Sequence, residues 1–119
     1  MQSVVDEKFM SERCGEYAIA LHERLGLPIY AVVVRRPSAE PVIGYAFVSA
    51  DGGETGIDAR GVARVDELKA ACAAGVRPGL VTVTRVSRER LAWELGIVED
   101  EHLAEARQIV CDRYALALR

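Results

Sequence analysis

Three short segments with strand-like composition follow one another in this 119-residue chain, with no helical segment between them. β-branched and aromatic residues are frequent in them, and turn-forming residues separate each segment from the next. Strands connected in this way predict an antiparallel meander, which Gly61 is expected to end. The segments are residues 29–34, 42–48 and 55–58, and the separating stretches contain Arg35-Arg36-Pro37-Ser38 and Asp51-Gly52-Gly53.

Helical patterns flank this meander. The first helix is expected to start at Ser11, a favourable N-cap residue, and to stop at Gly26 and Pro28. The order of helix, three strands, helix, strand and two helices does not alternate strictly, which predicts an α+β fold with an antiparallel sheet of about four strands packed by helices. The length favours a single domain over residues 1–119. The later elements are a helix at 65–72, a strand at 80–86, a short helix after Ser87 that ends at Gly96, and a long helix at 99–118.

The apolar spacing also predicts which side chains form the core. Trp93, the only tryptophan, is expected to anchor the short helix there. In the first helix, Glu16, Glu23 and Arg24 are expected to face away from the core. The predicted core stripes are Cys14, Ala18, Leu21 and Leu25 in the first helix, and Leu103, Ala106, Val110, Tyr114 and Ala117 in the last.

Composition excludes several classes of protein. A net charge of −3 argues against a dedicated nucleic-acid-binding protein, which usually carries a clearly basic patch. Three cysteines without CxxC spacing predict neither a disulfide framework nor a zinc site, and they favour reduced thiols in the cytoplasm. No stretch reaches the roughly 18 apolar residues of a membrane span, and no signal peptide is evident. We expect no cofactor.

Cys14 has two possible roles at the start of the first predicted helix. The unpaired amides and the dipole of a helix N-terminus stabilise a thiolate, and the same amides can hold a developing oxyanion. A cysteine outside a disulfide also behaves as a small buried apolar residue, and Cys14 shares its stripe with Ala18 and Leu21. The residue pattern by itself leaves both roles open.

Four short motifs occur in a suggestive order: a cysteine at a helix start, a strand, an Asp-Gly turn, and an Asp-Ala-x-Gly-Val segment. From Cys14 through Cys72 the chain thereby resembles small papain-like cysteine-hydrolase proteins of bacteria and their mobile elements. The resemblance implies a papain-like topology, with Cys14 as nucleophile and Asp58 as the acid that orients the base. The motifs are Cys14-Gly15-Glu16-Tyr17-Ala18, Tyr45-Ala46-Phe47-Val48, Asp51-Gly52 and Ile57-Asp58-Ala59-Arg60-Gly61-Val62.

The position of the base departs from this pattern, because the related proteins have histidine where this chain has Tyr45. A tyrosine, with an ordinary pKa of about 10, is a poor base at neutral pH. His22 lies eight positions after Cys14 on the same predicted helix, about 12 Å along its axis and too far for a hydrogen bond. His102 belongs to the last predicted helix. Asp58 also has a simpler role, because aspartate before a glycine-containing turn often bonds to the local backbone.

Two classes of function follow from these observations. The first is a non-catalytic, degenerate cysteine-hydrolase-like protein that acts by protein binding, similar to phage- or plasmid-type inhibitors of host machinery. The second is an active cysteine hydrolase or acyl transferase, in which Cys14 is the nucleophile and His102, a partner chain or the substrate supplies the base. The missing histidine favours the first.

Two surfaces are candidates for a binding function. An acidic lip, defined as Glu99, Asp100 and Glu101, could steer association with a basic protein partner. With Tyr114, Leu116 and Leu118, the last helix carries more apolar residues than one narrow core stripe requires, which is compatible either with a homodimer or with burial of this helix on two sides.

Overall fold

The computed structural model describes residues 13–35, 40–72 and 80–114. The chain begins with the predicted helix and three strands, and further helices and strands follow them. The helices are α1 (Cys14–Leu25), α2 (Val65–Cys72), α3 (Arg88–Leu95) and α4 (Glu101–Arg113), and the strands are β1 (Ile29–Val34), β2 (Val42–Val48), β3 (Thr55–Asp58), β4 (Gly61–Arg64) and β5 (Val81–Val86).

The five strands form one antiparallel sheet in the order β4-β3-β2-β1-β5. The predicted α+β class and the antiparallel meander are therefore confirmed, whereas a fifth strand exceeds the expected number of about four. The additional strand is β4, which Gly61 begins rather than ends. Gly61 has a φ of 109°, a backbone conformation that glycine adopts at little cost, and it pairs with Asp58 across the two-residue turn.

Helix α1 lies on the sheet, against β1, β2 and β3, and it also contacts α3 and α4. Cys14, Ala18 and Leu21 are buried as the stripe predicted, and Leu25 is half-buried. Glu16, however, is only 4% exposed, so the expectation that it faces away from the core is wrong. The helix is covered on more than one side, and an Arg13 Nη1 that lies 3.2 Å from Glu16 Oε2 compensates the buried charge.

A close contact between Phe47 and Gly56 holds β3 against β2. A methyl group at Gly56 would lie 2.6 Å from the Phe47 ring, so a larger residue there would have to displace a fully buried aromatic side chain. The ring of Phe47 also stacks on that of Tyr30, with 6.1 Å between centroids. Because β2 and β3 are antiparallel and pair at Val48 and Ile57, the end of β3 lies beside the end of β2.

The helix ends agree with local signals where the structure describes them. Ser87 caps α3 by accepting a hydrogen bond from the Arg90 amide at 3.1 Å, and Gly96 ends the helix in the left-handed conformation. In α4, Leu103, Ala106 and Val110 are buried as predicted. The residue before α1 is Arg13, and the predicted cap Ser11, together with Ala117, Leu116 and Leu118, lies outside the described residues.

Charged side chains join α1, α3 and α4 on one surface. Arg107 binds Glu23 and Glu99 through both sides of its guanidinium group, at 2.5–2.9 Å, and Arg88 also reaches both carboxylates, at 3.0 and 3.6 Å. The hydrogen bonds from Arg107 hold the pKa values of Glu23 and Glu99 below their ordinary range. Glu99, one member of the predicted acidic lip, therefore forms ion pairs within the fold.

A second member of the lip is also engaged, because Asp100 is the N-cap of α4. Its Oδ1 accepts hydrogen bonds from the amides of His102 and Leu103, at 3.0 and 3.1 Å. Glu101 keeps a side chain that is 88% exposed. The acidic lip is thus not an uncompensated acidic surface, since the fold itself uses Glu99 and Asp100.

The expectation for Trp93 is wrong, because its side chain is 84% exposed. Leu91, two positions earlier on α3, is fully buried and holds this helix to the core instead. Among the helices in the described part of the chain, none has both the length and the apolar character needed to cross a bilayer.

Asp51 organises the turn between β2 and β3. Its carboxylate accepts hydrogen bonds from the Ser49 hydroxyl, from the amide and hydroxyl of Thr55, and from the Glu54 amide, at 2.7–3.2 Å. These bonds, those from Thr55 first, lower the pKa of Asp51 to about 2.

Acid should therefore weaken this turn. A carboxylate whose pKa is lower in the folded than in the unfolded state stabilises the fold above pH 4, and this contribution is lost as the pH falls towards about 2. We expect Asp51→Ala to lower the thermal midpoint at pH 7 and to make the decline between about pH 4 and 2 shallower than in the wild type. Circular dichroism melts across this range measure both effects. An Asp51→Ala profile parallel to that of the wild type would contradict the assignment.

Candidate functional site

Three secondary-structure elements place Cys14, Tyr45 and Asp58 in one region. Cys14 is the first residue of α1, Tyr45 lies in β2, and Asp58 is the last residue of β3. The Tyr45 hydroxyl donates a hydrogen bond of 2.8 Å to Asp58 Oδ2. Cys14 and Tyr45 belong to the same cluster of buried side chains. Tyr45 and Asp58, two of the three residues that the sequence singled out, are therefore in direct contact.

Asp58 is the centre of this cluster. It is 3% exposed, and its Oδ1 accepts a hydrogen bond of 2.8 Å from the Arg60 amide. Its Oδ2 accepts from Tyr45 and also from Arg60 Nη2, at 3.1 Å. The local backbone bond expected for an aspartate before a glycine turn is thus present, and the second oxygen remains available to orient Tyr45. One carboxylate serves both roles because its two oxygens point to different partners.

The surroundings of Tyr45 keep its hydroxyl protonated. Burial raises its pKa most, because the phenolate would lose its hydration. The Asp58 carboxylate raises the pKa further, through its charge and through the hydrogen bond it accepts, and Arg60 acts in the opposite direction. The hydroxyl proton of Tyr45 already forms the hydrogen bond to Asp58. Tyr45 can therefore orient neighbouring groups, but at neutral pH it cannot take a proton from a thiol.

Neither histidine occupies the place of the missing base. His22 Nδ1 lies 2.7 Å from the carbonyl oxygen of Leu27, near the opposite end of α1 from Cys14. His102 is the second residue of α4, where its Nδ1 is buried without a hydrogen-bond partner among the described residues and its Nε2 lies 3.9 Å from Glu101 Oε1. Neither imidazole is bonded to Tyr45 or Asp58 in the described part of the chain. Both rings are half-buried rather than solvated.

Two arginines belong to the site, and the sequence analysis assigned a role to neither. Arg60 covers Asp58, and its position two residues after an aspartate, before a glycine, was a usable turn signal. For Arg113, no local pattern in the sequence indicated a role in the site. From the end of α4, its Nη1 donates to the Ala59 carbonyl oxygen at 2.6 Å and to the Tyr17 hydroxyl at 3.1 Å. Its guanidinium carbon also lies 6.0 Å from the centroid of the Tyr17 ring. Arg113 thereby fastens the turn after Asp58 to α1.

The three candidate site residues are largely buried. Cys14, Tyr45 and Asp58 are exposed by 7%, 8% and 3%. Leu95 and Ile97 cover the first turn of α1, where a methyl group at Gly15 would lie within 2.8 Å of both. In the described residues, no group of three or more histidine, cysteine, aspartate or glutamate side chains is arranged to hold a metal ion.

Comparison with known proteins adds no relative. No family model, curated protein sequence or solved structure matches this chain significantly. The resemblance to papain-like proteins therefore depends on the motifs and on the arrangement of the residues that they contain.

Proposed function

We propose that this protein is a non-catalytic relative of small papain-like cysteine hydrolases that acts by binding another protein. One observation carries the proposal: the group that contacts Asp58 is the phenol of Tyr45, which donates a hydrogen bond to that carboxylate, whereas the hydrolases that the motifs resemble have an imidazole at this position. An acylation step needs a group that removes the thiol proton, and Tyr45 is held in the state that cannot do so.

The papain-like topology is part of the same proposal. It is supported by the position of Cys14 at the first residue of a helix that lies on an antiparallel sheet, and by the Tyr45–Asp58 contact between adjacent strands. Burial of all three side chains agrees with a structural use of the former catalytic cluster. A cluster of this kind stabilises the scaffold, and a surface elsewhere on the molecule performs the binding. An inhibitor of host machinery, as phage- or plasmid-borne proteins often are, needs nothing more.

A turnover assay tests this proposal. We expect the purified protein to hydrolyse fluorogenic peptides and p-nitrophenyl esters no faster than its Cys14→Ala variant, because Tyr45, at the position of the base, keeps its proton. Alkylation of Cys14 by iodoacetamide, followed by peptide mass spectrometry, should rise steadily as the pH is raised past neutrality, as for an ordinary thiol. The exposed Cys111 provides an internal reference for this rate. Turnover that is robust in the wild type and lost in Cys14→Ser would overturn the proposal and identify an active cysteine hydrolase or acyl transferase.

A further inference from the structure

An apolar patch interrupts the polar surface around the end of α3. Three large apolar side chains within six residues are exposed there: Trp93 by 84%, Val98 by 62% and Leu95 by 38%. Exposed apolar residues that occur singly need no explanation, but a group of them commonly marks an interaction site. We call this group, together with the adjoining groove described next, the Trp93 surface.

The groove lies between α1, α3 and α4 and has a volume of about 330 Å³. Its apolar lining is Ile19, Ala92, Ile97, Val98 and Leu103. Trp93 is exposed and lies four positions after Glu89, which lines the groove, so the two side chains lie on the same face of α3, one helical turn apart. The volume of the groove lies at the lower end of the roughly 300–1,000 Å³ that ligand pockets span, so the groove has room for one or two bulky side chains.

The charges at the groove favour a cationic partner. Glu89 and Glu99 line it together with Arg88. Arg88 is already compensated by Glu23 and Glu99, which also bind Arg107. Glu89 is exposed and has no charged partner among the described residues. The groove and its supporting ion pairs thus combine two arginines with three glutamates, which leaves one uncompensated negative charge at the rim.

The size of the patch favours a short segment over a second copy of this chain. A standard protein interface covers about 800 Å² per partner. An aromatic side chain such as Trp93 contributes at most about 250 Å², and Leu95 and Val98 are smaller. These three side chains alone are therefore smaller than a standard dimer interface, whereas an exposed tryptophan near a groove is the kind of anchor that dominates peptide binding.

We propose that the Trp93 surface binds a short peptide segment of a partner protein, one that carries a bulky apolar side chain next to arginine or lysine. The apolar side chain enters the groove beside Trp93, and the cation pairs with Glu89. This inference goes beyond the proposed function, because it holds whether or not Cys14 is catalytic.

The experiment uses Trp93 as its own reporter, since the chain contains no other tryptophan. The probe is a 12-residue peptide with two leucines, one phenylalanine and three arginines among glycines and serines. We expect saturable binding in which the tryptophan emission shifts to shorter wavelength and acrylamide quenches it less. Two comparison peptides replace the arginines with glutamates or the apolar residues with serines, and each should bind about tenfold more weakly or worse.

Variants locate the binding site by polarisation of the labelled basic peptide. Trp93→Ala should weaken binding about tenfold or more, as expected for an aromatic anchor. Val98→Ala and Val42→Ala make a matched pair, because both valines are exposed, by 62% and 52%, and only Val98 lines the groove. Val98→Ala should weaken binding and Val42→Ala should not. Glu89→Gln should weaken binding of the basic peptide and reduce its dependence on salt.

Several results would overturn the proposal. One is equal binding of the acidic and basic peptides, and another is unchanged binding in Trp93→Ala. Shielding of Trp93 that increases with protein concentration would assign the surface to a second copy of the chain. Because none of these variants touches Cys14, Tyr45 or Asp58, this inference and the proposed loss of catalysis can fail independently.

Discussion

Replacing Tyr45 with histidine is expected to raise the rate at which Cys14 reacts with iodoacetamide at pH 7 by about tenfold or more. The new imidazole would stand where the Tyr45 hydroxyl now meets Asp58, and that carboxylate would orient it and stabilise its protonated form. An imidazolium beside the sulfur favours the thiolate, which is the reactive species. The gain should be largest near neutral pH, because an ordinary thiol is mostly protonated there.

Two controls separate this effect from a simple opening of the site. Tyr45→Phe also removes the hydrogen bond to Asp58 but supplies no base, so its Cys14 should react no faster than in the wild type, apart from any change in access. The exposed Cys111 should keep the same rate in all three proteins. If Tyr45→His and Tyr45→Phe accelerate Cys14 equally, the histidine does not act on the sulfur, and the proposed equivalence of position 45 with a catalytic base is wrong.

Asp58→Ala is expected to lower the free energy of unfolding by about 2–4 kcal/mol, a large share of a typical small domain's stability. The substitution leaves the Tyr45 hydroxyl and the Arg60 amide without their acceptor in a region that is almost fully buried. The part due to the Arg60 side chain is small, because that side chain is 40% exposed and solvent screens its charge. Chemical denaturation followed by circular dichroism measures the difference.

Asp66→Ala is the matched control for this experiment. Asp66 forms an ion pair with Arg64 at 3.8 Å in which both side chains are at least 75% exposed, so its loss should change stability by less than about 1 kcal/mol. Asp58→Asn keeps an acceptor for the Arg60 amide and should cost less than Asp58→Ala. A loss below about 1 kcal/mol in Asp58→Ala would show that water replaces these hydrogen bonds and that the cluster is not a structural centre.

Signals that act over a few residues were sufficient to predict most elements of this fold. The stripe from Cys14 to Leu21, the strands β1 to β3, and α3 between Ser87 and Gly96 all lie where periodicity, turn residues and caps placed them. These signals work because burial on one face of an element, and the conformational freedom of glycine, leave a local trace in the sequence. The same local patterns, together with the resemblance, predicted from the sequence that Cys14, Tyr45 and Asp58 form a group.

Other features depend on residues that are far apart in the chain, and only the tertiary structure decided them. Glu16 is buried because helix packing covers α1 on more than one side, and Trp93 is exposed because Leu91 holds α3 to the core. Glu99 of the acidic lip pairs with Arg88 and Arg107, and Arg113 reaches Ala59 across 54 positions of sequence. The partners of a charge, and the number of sides on which a helix is covered, are set by the whole packing arrangement, so no local pattern records them.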